Sequence, residues 1–349
     1  MKHLLISLFA LLLIFMASCQ KSDEAPTIDW YGAIVKKEIP FAQLNEPECF
    51  YKPFDIVFLN DPYYYEFEYD TSTIAPFNIS FQDSPVKYMV YQKHEWSNDE
   101  IGIYTGHLNT YLYDLENKEL TAFGKSAGGI DISGNGKIVI YNHFDEFVIY
   151  NTQTKESTSI DGFVYYFDLN CNGTKVFFQS GYDVGQFQGD YKYIYDLETN
   201  QVLYKFDSKE LRLGNWLNDS ILVFSKSIEP KLYSLNINTG DTMVFAKSTT
   251  GHFRVFTAVS KDGRFAYGIS PYVKDLVKET EIDIALRRDS ELCGNREYTG
   301  MHFMPDGQII VKRIYYLLDS VARTAKFQSY LHVLNADGTN ERRIELDIP

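Results

Sequence analysis

Apolar residues along this chain come in short runs that alternate with polar positions and are broken by Asn, Asp, Gly and Ser. That period-2 figure predicts half-buried β-strands joined by tight turns, and no long stretch repeats at helical period. One figure recurs: "FEYDTSTIAPF" at 67–77, "YLYDLENKELTAF" at 111–123, "FVIYNTQTKESTSI" at 147–160, "YIYDLETNQVLYKF" at 193–206, "LYSLNINTGDTMVF" at 232–245 and "SYLHVLNADGTNERRIEL" at 329–346. Each reads as a hairpin whose turn opens on an Asx residue: Asp70, Asp114, Asn151, Asp196, Asn236 and Asn335. The spacing fits a repeat of about 40 residues except after Asn236, where it is about double, so one degenerate copy is expected inside "EIDIALRRDSELCG" at 281–294.

A second figure lies between the first. Polar turns at Asp83-Ser84, Asn135-Gly136, Asn172-Gly173, Asn218-Asp219, Asp262-Gly263 and Asp306-Gly307 each lead into a β-rich run. Two alternating hairpins make a four-stranded unit, and units repeating every ~40 to 50 residues predict an all-β β-propeller. The count, with the degenerate copy, gives seven four-stranded blades. Six is the alternative, because the first hairpin of the unit around 40–78 cannot be placed.

"MPDGQIIVKR" together with "LHVLNADGTNERRIEL" resembles the repeat of TolB-like and WD40-like propellers; TolB-type blades carry a Ser-Pro-Asp-Gly-Lys turn followed by an Asn-Ala-Asp-Gly turn. Most other units lack the Pro, and "ISGNGK" and "LNCNGT" keep only the turn chemistry. The resemblance implies the fold, and fold does not imply function. Composition agrees: Tyr 27, Phe 25 and Trp 3 bring aromatics to 16%, residues that suit half-buried strands.

The N-terminus carries different chemistry. Lys2 precedes an apolar run from Leu4 to Met16, which is too short to cross a hydrocarbon core of about 30 Å and reads as a signal peptide. Met16-Ala17-Ser18-Cys19 resembles a bacterial lipobox, although Leu is commoner where Met16 stands. The resemblance implies diacylglycerol on the Cys19 sulfur, cleavage before it and N-acylation, which together hold a protein on a bilayer. The expected organisation is a leader over 1–18, a tether over 19–27 and a single propeller over 28–349. "QKSDE" resembles the signal that sends lipoproteins of Bacteroidota to the cell surface. The expected location is therefore the bacterial envelope, at the outer membrane and exposed on the surface.

A formal charge of −14 makes nucleic acid an unsuitable partner, since phosphate binding needs clustered Lys and Arg. With Cys19 acylated, Cys49, Cys171 and Cys293 remain without metal spacing, enough for at most one disulfide, which spacing does not assign. Gly124-Lys125-Ser126-Ala127-Gly128 matches Gly-x-Ser-x-Gly, yet "GGIDIS" follows where a nucleophile elbow needs a helix. Asp168-x-Asn170-x-Asn172-Gly173 and Asp131-x-Ser133-x-Asn135-Gly136 echo a calcium loop but coincide with hairpin turns, and Gln179 stands where a bidentate Glu belongs. The histidines form no His-Glu-x-x-His, and nothing in the sequence asks for a cofactor.

A propeller blade puts its A–B and C–D turns on one face and its B–C loops and blade-to-blade connections on the other. The A–B and C–D turns here are short. The expected B–C links at 92–102, 180–191, 270–280 and 316–326 are long, and loops on a rigid scaffold are where recognition residues concentrate. The expected ligand contacts are His94, Trp96, Tyr182, Phe187 and Tyr272, with Arg254 and Arg296 from neighbouring connections; aromatics with Arg suit a protein, peptide or glycan surface. The expected function is a lipid-anchored binding or scaffolding propeller. The alternatives are a propeller hydrolase or lyase acting on glycan or peptide, whose residues converge from several blades, and a structural subunit of an envelope complex.

Overall fold

A computed structural model describes residues 30–40, 66–69, 76, 78–83, 86–95, 107–126, 128–162, 164–181, 183, 186–189, 191–208, 211–226, 229, 231–247, 256–268, 272–283, 298–319 and 324–349. One helical turn, α1 (Trp30–Ile34), runs into β1 (Val35–Pro40), and β2 (Glu66–Tyr69) follows. The other strands form six groups of four. Blade 1 is β3 (Ile79–Phe81), β4 (Tyr88–Glu95), β5 (His107–Asp114) and β6 (Glu119–Ser126). Blade 2 is β7 (Ile130–Ile132), β8 (Ile138–His143), β9 (Glu146–Asn151) and β10 (Ser157–Asp161). Blade 3 is β11 (Val164–Leu169), β12 (Lys175–Ser180), β13 (Tyr191–Asp196) and β14 (Gln201–Asp207). Blade 4 is β15 (Leu211–Trp216), β16 (Ile221–Lys226), β17 (Lys231–Asn236) and β18 (Thr242–Lys247). Blade 5 is β19 (Phe256–Val259), β20 (Phe265–Gly268), β21 (Tyr272–Asp275) and β22 (Thr280–Asp283). Blade 6 is β23 (Tyr298–Phe303), β24 (Ile309–Asp319), β25 (Thr324–Leu334) and β26 (Arg342–Leu346).

Strands A to D run antiparallel from the axis outwards. The first strands pack in sequence, β3 on β7, β7 on β11, β11 on β15, β15 on β19 and β19 on β23, and β23 returns to β3. The described residues thus make a closed ring of six blades, not seven. The six A–B turns of the sequence all appear, one per blade. The excess came from the other figure. The stretch before Asp70 is β2, which pairs in parallel with β25 from Glu66 opposite Thr324 to Tyr69 opposite Phe327 instead of serving as an antiparallel C strand, and Asp70 itself lies outside the described residues. The degenerate copy is the turn after Asp275 in blade 5, earlier than the expected 281–294.

The C–D turns of blades 1 to 5 share one construction. Asp114 accepts backbone N–H bonds from Glu116 and Asn117, Asp196 from Glu198 and Thr199, and Asp275 from Val277 and Lys278, which is how an Asx side chain closes a turn on itself. The fourth residue after the Asx then takes positive φ: Lys118, Lys155, Asn200, Gly240 and Glu279. Only Gly240 adopts that conformation without steric cost.

Burial follows distance from the axis. β8 and β16 each keep four consecutive residues buried, whereas the outer β10 and β18 are exposed along most of their length. Fully buried aromatics fill the spaces between blades. Phe147, Phe167 and Phe178 pack with Tyr193 between blades 2 and 3, and Trp216 packs with Phe177 and Ile194 between blades 3 and 4. Burying each such side chain contributes roughly 2 to 3 kcal/mol.

Blade 6 departs from the pattern. β24 and β25 pair over their full 11 residues, from Ile309 opposite Leu334 to Asp319 opposite Thr324. β23 pairs with β24 only as far as Arg313, so the hairpin runs past the blade on the B–C side. β1 adds a fifth strand outside β26, with Ile39 opposite Arg343, and Arg342 fastens it by reaching the Tyr31 hydroxyl at 2.9 Å and Glu38 at 3.0 Å. The C-terminus crosses to blade 1, where the Tyr91 hydroxyl donates to the Pro349 carbonyl at 2.9 Å.

Candidate functional site

Each inner strand places one residue, next to last before its A–B turn, at an equivalent register. Ser80 stands opposite Val90, Asp131 opposite Ile140, Asp168 opposite Phe177, Asn215 opposite Val223, Ala258 opposite Tyr267 and His302 opposite Ile310. The local sequence explains the placement. In "ISF", "IDI" and "FDL" the outer two residues are buried against neighbouring blades, and alternation turns the middle one the other way, towards the axis.

These side chains strap one blade to the next. The Ser80 hydroxyl donates to Asp131 Oδ1 at 2.9 Å, and Asp131 Oδ2 accepts the Leu169 N–H of blade 3 at 2.8 Å. Asp168 Oδ2 accepts the Trp216 N–H of blade 4 at 2.6 Å, while Oδ1 accepts from Asn215 Nδ2 at 2.9 Å. Asn215 Oδ1 in turn accepts the Val259 N–H of blade 5 at 3.2 Å. Ala258 has no polar atom with which to continue the strap.

The six positions surround an axial cavity of about 110 Å³, whose mouth at the A–B turns includes Asp83, Gly134, Lys261 and Pro305. Burial raises the Asp131 carboxyl above the usual range, against the hydrogen bonds from Leu169 and Ser80. Burial first, and the Asp131 charge second, push Asp168 up to about 8. Because the two carboxylates repel, they titrate as one, and the pair holds a proton near neutral pH. Burial pushes His302 down to about 4, so its imidazole is neutral. His302 is enclosed by the ring yet only partly shielded, because it faces the cavity, and it has no hydrogen-bond partner among the described residues. Lys261 stands at the mouth, 3.4 Å from Asp83.

The A–B turns are stitched together at the same face. Asp83 N–H bonds the Gly134 carbonyl at 2.9 Å, Asn135 N–H the Cys171 carbonyl at 2.8 Å, and Asn172 N–H the Asp219 carboxylate at 2.7 Å. The calcium-like loops therefore spend their oxygens on the fold. Asn170 Oδ1 accepts the Lys175 N–H, Asn172 Oδ1 accepts the Thr174 N–H, and Asp131 and Asp168 serve the straps. Among the described residues no group of three or more His, Cys, Asp or Glu could hold a metal ion. Ser126 of the Gly-x-Ser-x-Gly match ends β6 and accepts from Gln92 Nε2 at 2.6 Å, a strand end rather than an elbow.

The opposite side is uneven. The A–B turns span 82–87, 133–137, 170–174, 217–220, 260–264 and 304–308. The B–C connections range from 144–145 in blade 2 to 96–106 in blade 1 and 181–190 in blade 3, and the blade-to-blade connections reach 248–255 and 284–297. Of the expected contacts, His94 lies in β4 opposite Leu108. Phe187 belongs to the 181–190 link but is buried, with its ring against Phe178, Tyr193 and Tyr195, so its faces are taken up by packing. Tyr272 opens β21 opposite Asp283: from 272 to 280 the stretch is a C strand, its C–D turn and the start of the D strand, not a B–C loop. The stretch 316–326 is mostly the extended blade 6 hairpin. Cys19, Trp96, Tyr182, Arg254 and Arg296 lie outside the described residues.

The axial set is not legible as a set in the sequence. Its signal was present, a polar residue between two apolar ones just before each A–B turn, but that figure also fits an ordinary half-buried strand.

No family model and no curated protein matches the chain. Among solved structures it is similar to the RRP9 WD40 repeats at 9% identity over 78% of this chain and 94% of that one, with a TM-score of 0.47. It is also similar to the β-propeller domain of the Trilobed protease from Pyrococcus furiosus, at 16% identity over 78% and 84% with a TM-score of 0.43. Acylaminoacyl peptidase in complex with Z-Gly-Gly-Phe-chloromethyl ketone matches at 12% identity over 78% of this chain and 52% of that one, with a TM-score of 0.47. At such identities the likeness concerns the fold alone, and the strand order establishes that fold: an all-β β-propeller of small antiparallel four-stranded blades.

Proposed function

We propose that this protein is a lipid-anchored binding or scaffolding propeller of the bacterial envelope, held on the outer membrane through acylated Cys19, with a protein, peptide or glycan recognised on the B–C side. The observation that carries the reading is the asymmetry of the ring. Its A–B turns are short and hydrogen-bonded to one another, while length variation falls on the other side, at 96–106, 181–190, 248–255, 284–297 and the blade 6 hairpin. A scaffold that holds one face constant and varies the other presents recognition residues on the varied face. Trp96 and Tyr182 lie in those connections, as do Arg254 and Arg296. The Cys19 motif and the acidic charge support a domain tethered to a bilayer and kept off its anionic surface.

Membrane fractionation with palmitate labelling tests the anchor. Cys19→Ala is expected to lose the label and release soluble protein, and retention of the variant on the membrane would contradict the assignment.

A further inference from the structure

We propose that the junction of blades 2 and 3 on the B–C side, where Phe144 and Tyr165 stand among Asp145, Glu146 and Asp161, is the contact for a Lys- and Arg-bearing segment of a partner protein. The inference rests on the B–C side being the recognition face, and it narrows what that face takes. Phe144 is 51% exposed and Tyr165 66%, and they are the two exposed aromatics among the described residues. The other exposed large apolar side chains lie elsewhere: Leu120, Leu203, Met243 and Val244 on outer strands, and Val277 in a C–D turn.

One joint brings the pair to the same rim. The Gly162 N–H bonds the Asp145 carbonyl at 2.7 Å. Asn142 holds Val164 twice, donating to its carbonyl at 2.7 Å and accepting its N–H at 3.2 Å. Phe144 lies between the two blade 2 anchors, and Tyr165 directly follows Val164 at the start of β11, the end away from the A–B turns. The 181–190 connection leaves β12 at Ser180, whose register partner is Val164, so the varied chain begins beside this joint.

The place of Phe144 carries a cost that packing does not offset. Residues 144–145 form a two-residue turn between β8 and β9, with His143 opposite Glu146. Such turns prefer Asn, Asp or Gly, yet Phe144 sits there at φ +52°. Among the described residues it is the one aromatic with positive φ. A bulky side chain in that conformation is strained, and the exposed half of the ring gains nothing from burial. The His143 ring crosses it at 75° with centroids 4.9 Å apart, which restricts the ring without covering it. Strain held at an exposed side chain points to a role in contact rather than in folding.

Charge selects the partner. Glu146 and Asp161 are direct register partners across β9 and β10 and both are exposed, a placement in which like charges repel. Asp145 adds a third exposed carboxylate in the same turn. No Lys or Arg occurs in 138–154 or in 156–174. A Lys or Arg side chain relieves the repulsion between the carboxylates and also lies favourably over an aromatic face. A neutral glycan would stack on the rings and leave that repulsion in place.

Panning a phage library of random peptides on the full-length protein in a non-ionic detergent tests this, with the affinities of recovered peptides then measured on the wild type and on variants. The recovered peptides are expected to be enriched in Lys and Arg and to lose affinity as salt rises. They should bind Phe144→Asn and Glu146→Lys roughly tenfold or more weakly than the wild type. Asn suits the turn, so the melting temperature of Phe144→Asn should equal or exceed that of the wild type, and its loss of binding reports the ring and not the fold. Tyr165→Ser repeats the test away from the turn. Benzoylphenylalanine at Tyr182 and, separately, at Lys137 distinguishes the two readings. Neutral peptides captured from position 182 and indifferent to Phe144→Asn would overturn the inference while keeping the recognition face, whereas basic peptides captured only from position 137 would overturn both. Recovery of no specific peptide would overturn the inference, as would maltohexaose binding that is lost in Phe144→Asn without any enrichment of basic peptides.

Discussion

Asp168 and Trp216 are joined twice across the interface of blades 3 and 4: the carboxylate accepts the Trp216 backbone N–H at 2.6 Å, and the Trp216 indole N–H returns to the Asp168 carbonyl at 3.0 Å. The reciprocal pair fixes a fully buried indole beside the axis. Asp168→Ala would leave the Trp216 N–H without its acceptor and open a void, and is expected to lower stability by about 2 kcal/mol. Asp168→Asn keeps an oxygen for that N–H and should cost less. Urea unfolding of the two variants checks the ordering.

The axial groups also set a pH dependence. Asp168 holds its proton up to about 8 in the folded protein, far above an ordinary carboxyl, so the folded state binds more protons and stability falls as pH rises towards 8. His302 acts oppositely. Its value near 4 lies below that of an ordinary imidazole, so stability rises with pH between about 4 and 6.5. Between pH 6.5 and 8 only the carboxylate effect remains of the two. The melting temperature is expected to decline across that window, and Asp168→Asn should flatten the decline.

The C–D turns offer a gain. Lys155 is exposed and sits at φ +60°, whereas Gly240 holds the equivalent place at φ +79°. Lys155→Gly should raise stability by about 0.5 kcal/mol, and Gly240→Ala should lower it by about 1 kcal/mol. Unfolding midpoints in urea would show the opposite signs.

At the A–B turns, Gly173 has φ +71°, and a Cβ there would lie 2.9 Å from Ser133 Cβ and 3.0 Å from Ile138 Cγ1. Gly307 has φ +81° with nothing within 4 Å. Gly173→Ala is therefore expected to cost about 2 kcal/mol and Gly307→Ala about 1 kcal/mol, since only the first adds a clash to the backbone strain. Equal losses in thermal melts would contradict the packing of blade 3 against blade 2.

Turn chemistry made most of the fold legible. Asx and Gly act locally, so Asn172-Gly173 or the turn after Asn236 announces a hairpin without help from distant contacts. The blade count was harder. Asp70 carries the same Asx signal as Asp114, but the strand before it, β2, pairs with β25 of blade 6, and that partner lies more than 250 positions away. The true copy at Asp275 hid because its C strand, Tyr272–Asp275, is four residues long, shorter than the C strands of the other blades. Phe187 looked like a loop aromatic because loop and core residues cannot be told apart until the chain turns inward. The axial set depends on register between blades, which no single stretch of sequence encodes.

Site-specific photo-crosslinking in intact cells tests the proposed binding face most directly, with benzoylphenylalanine at Trp96 and Tyr182 on the B–C side and, separately, at the exposed Lys137 and Asp262 in the A–B turns. A discrete partner is expected to be captured from positions 96 and 182, to be lost when Arg296→Ala is added, and not to be captured from 137 or 262. Capture confined to the A–B positions would contradict the account and move recognition to the stitched face.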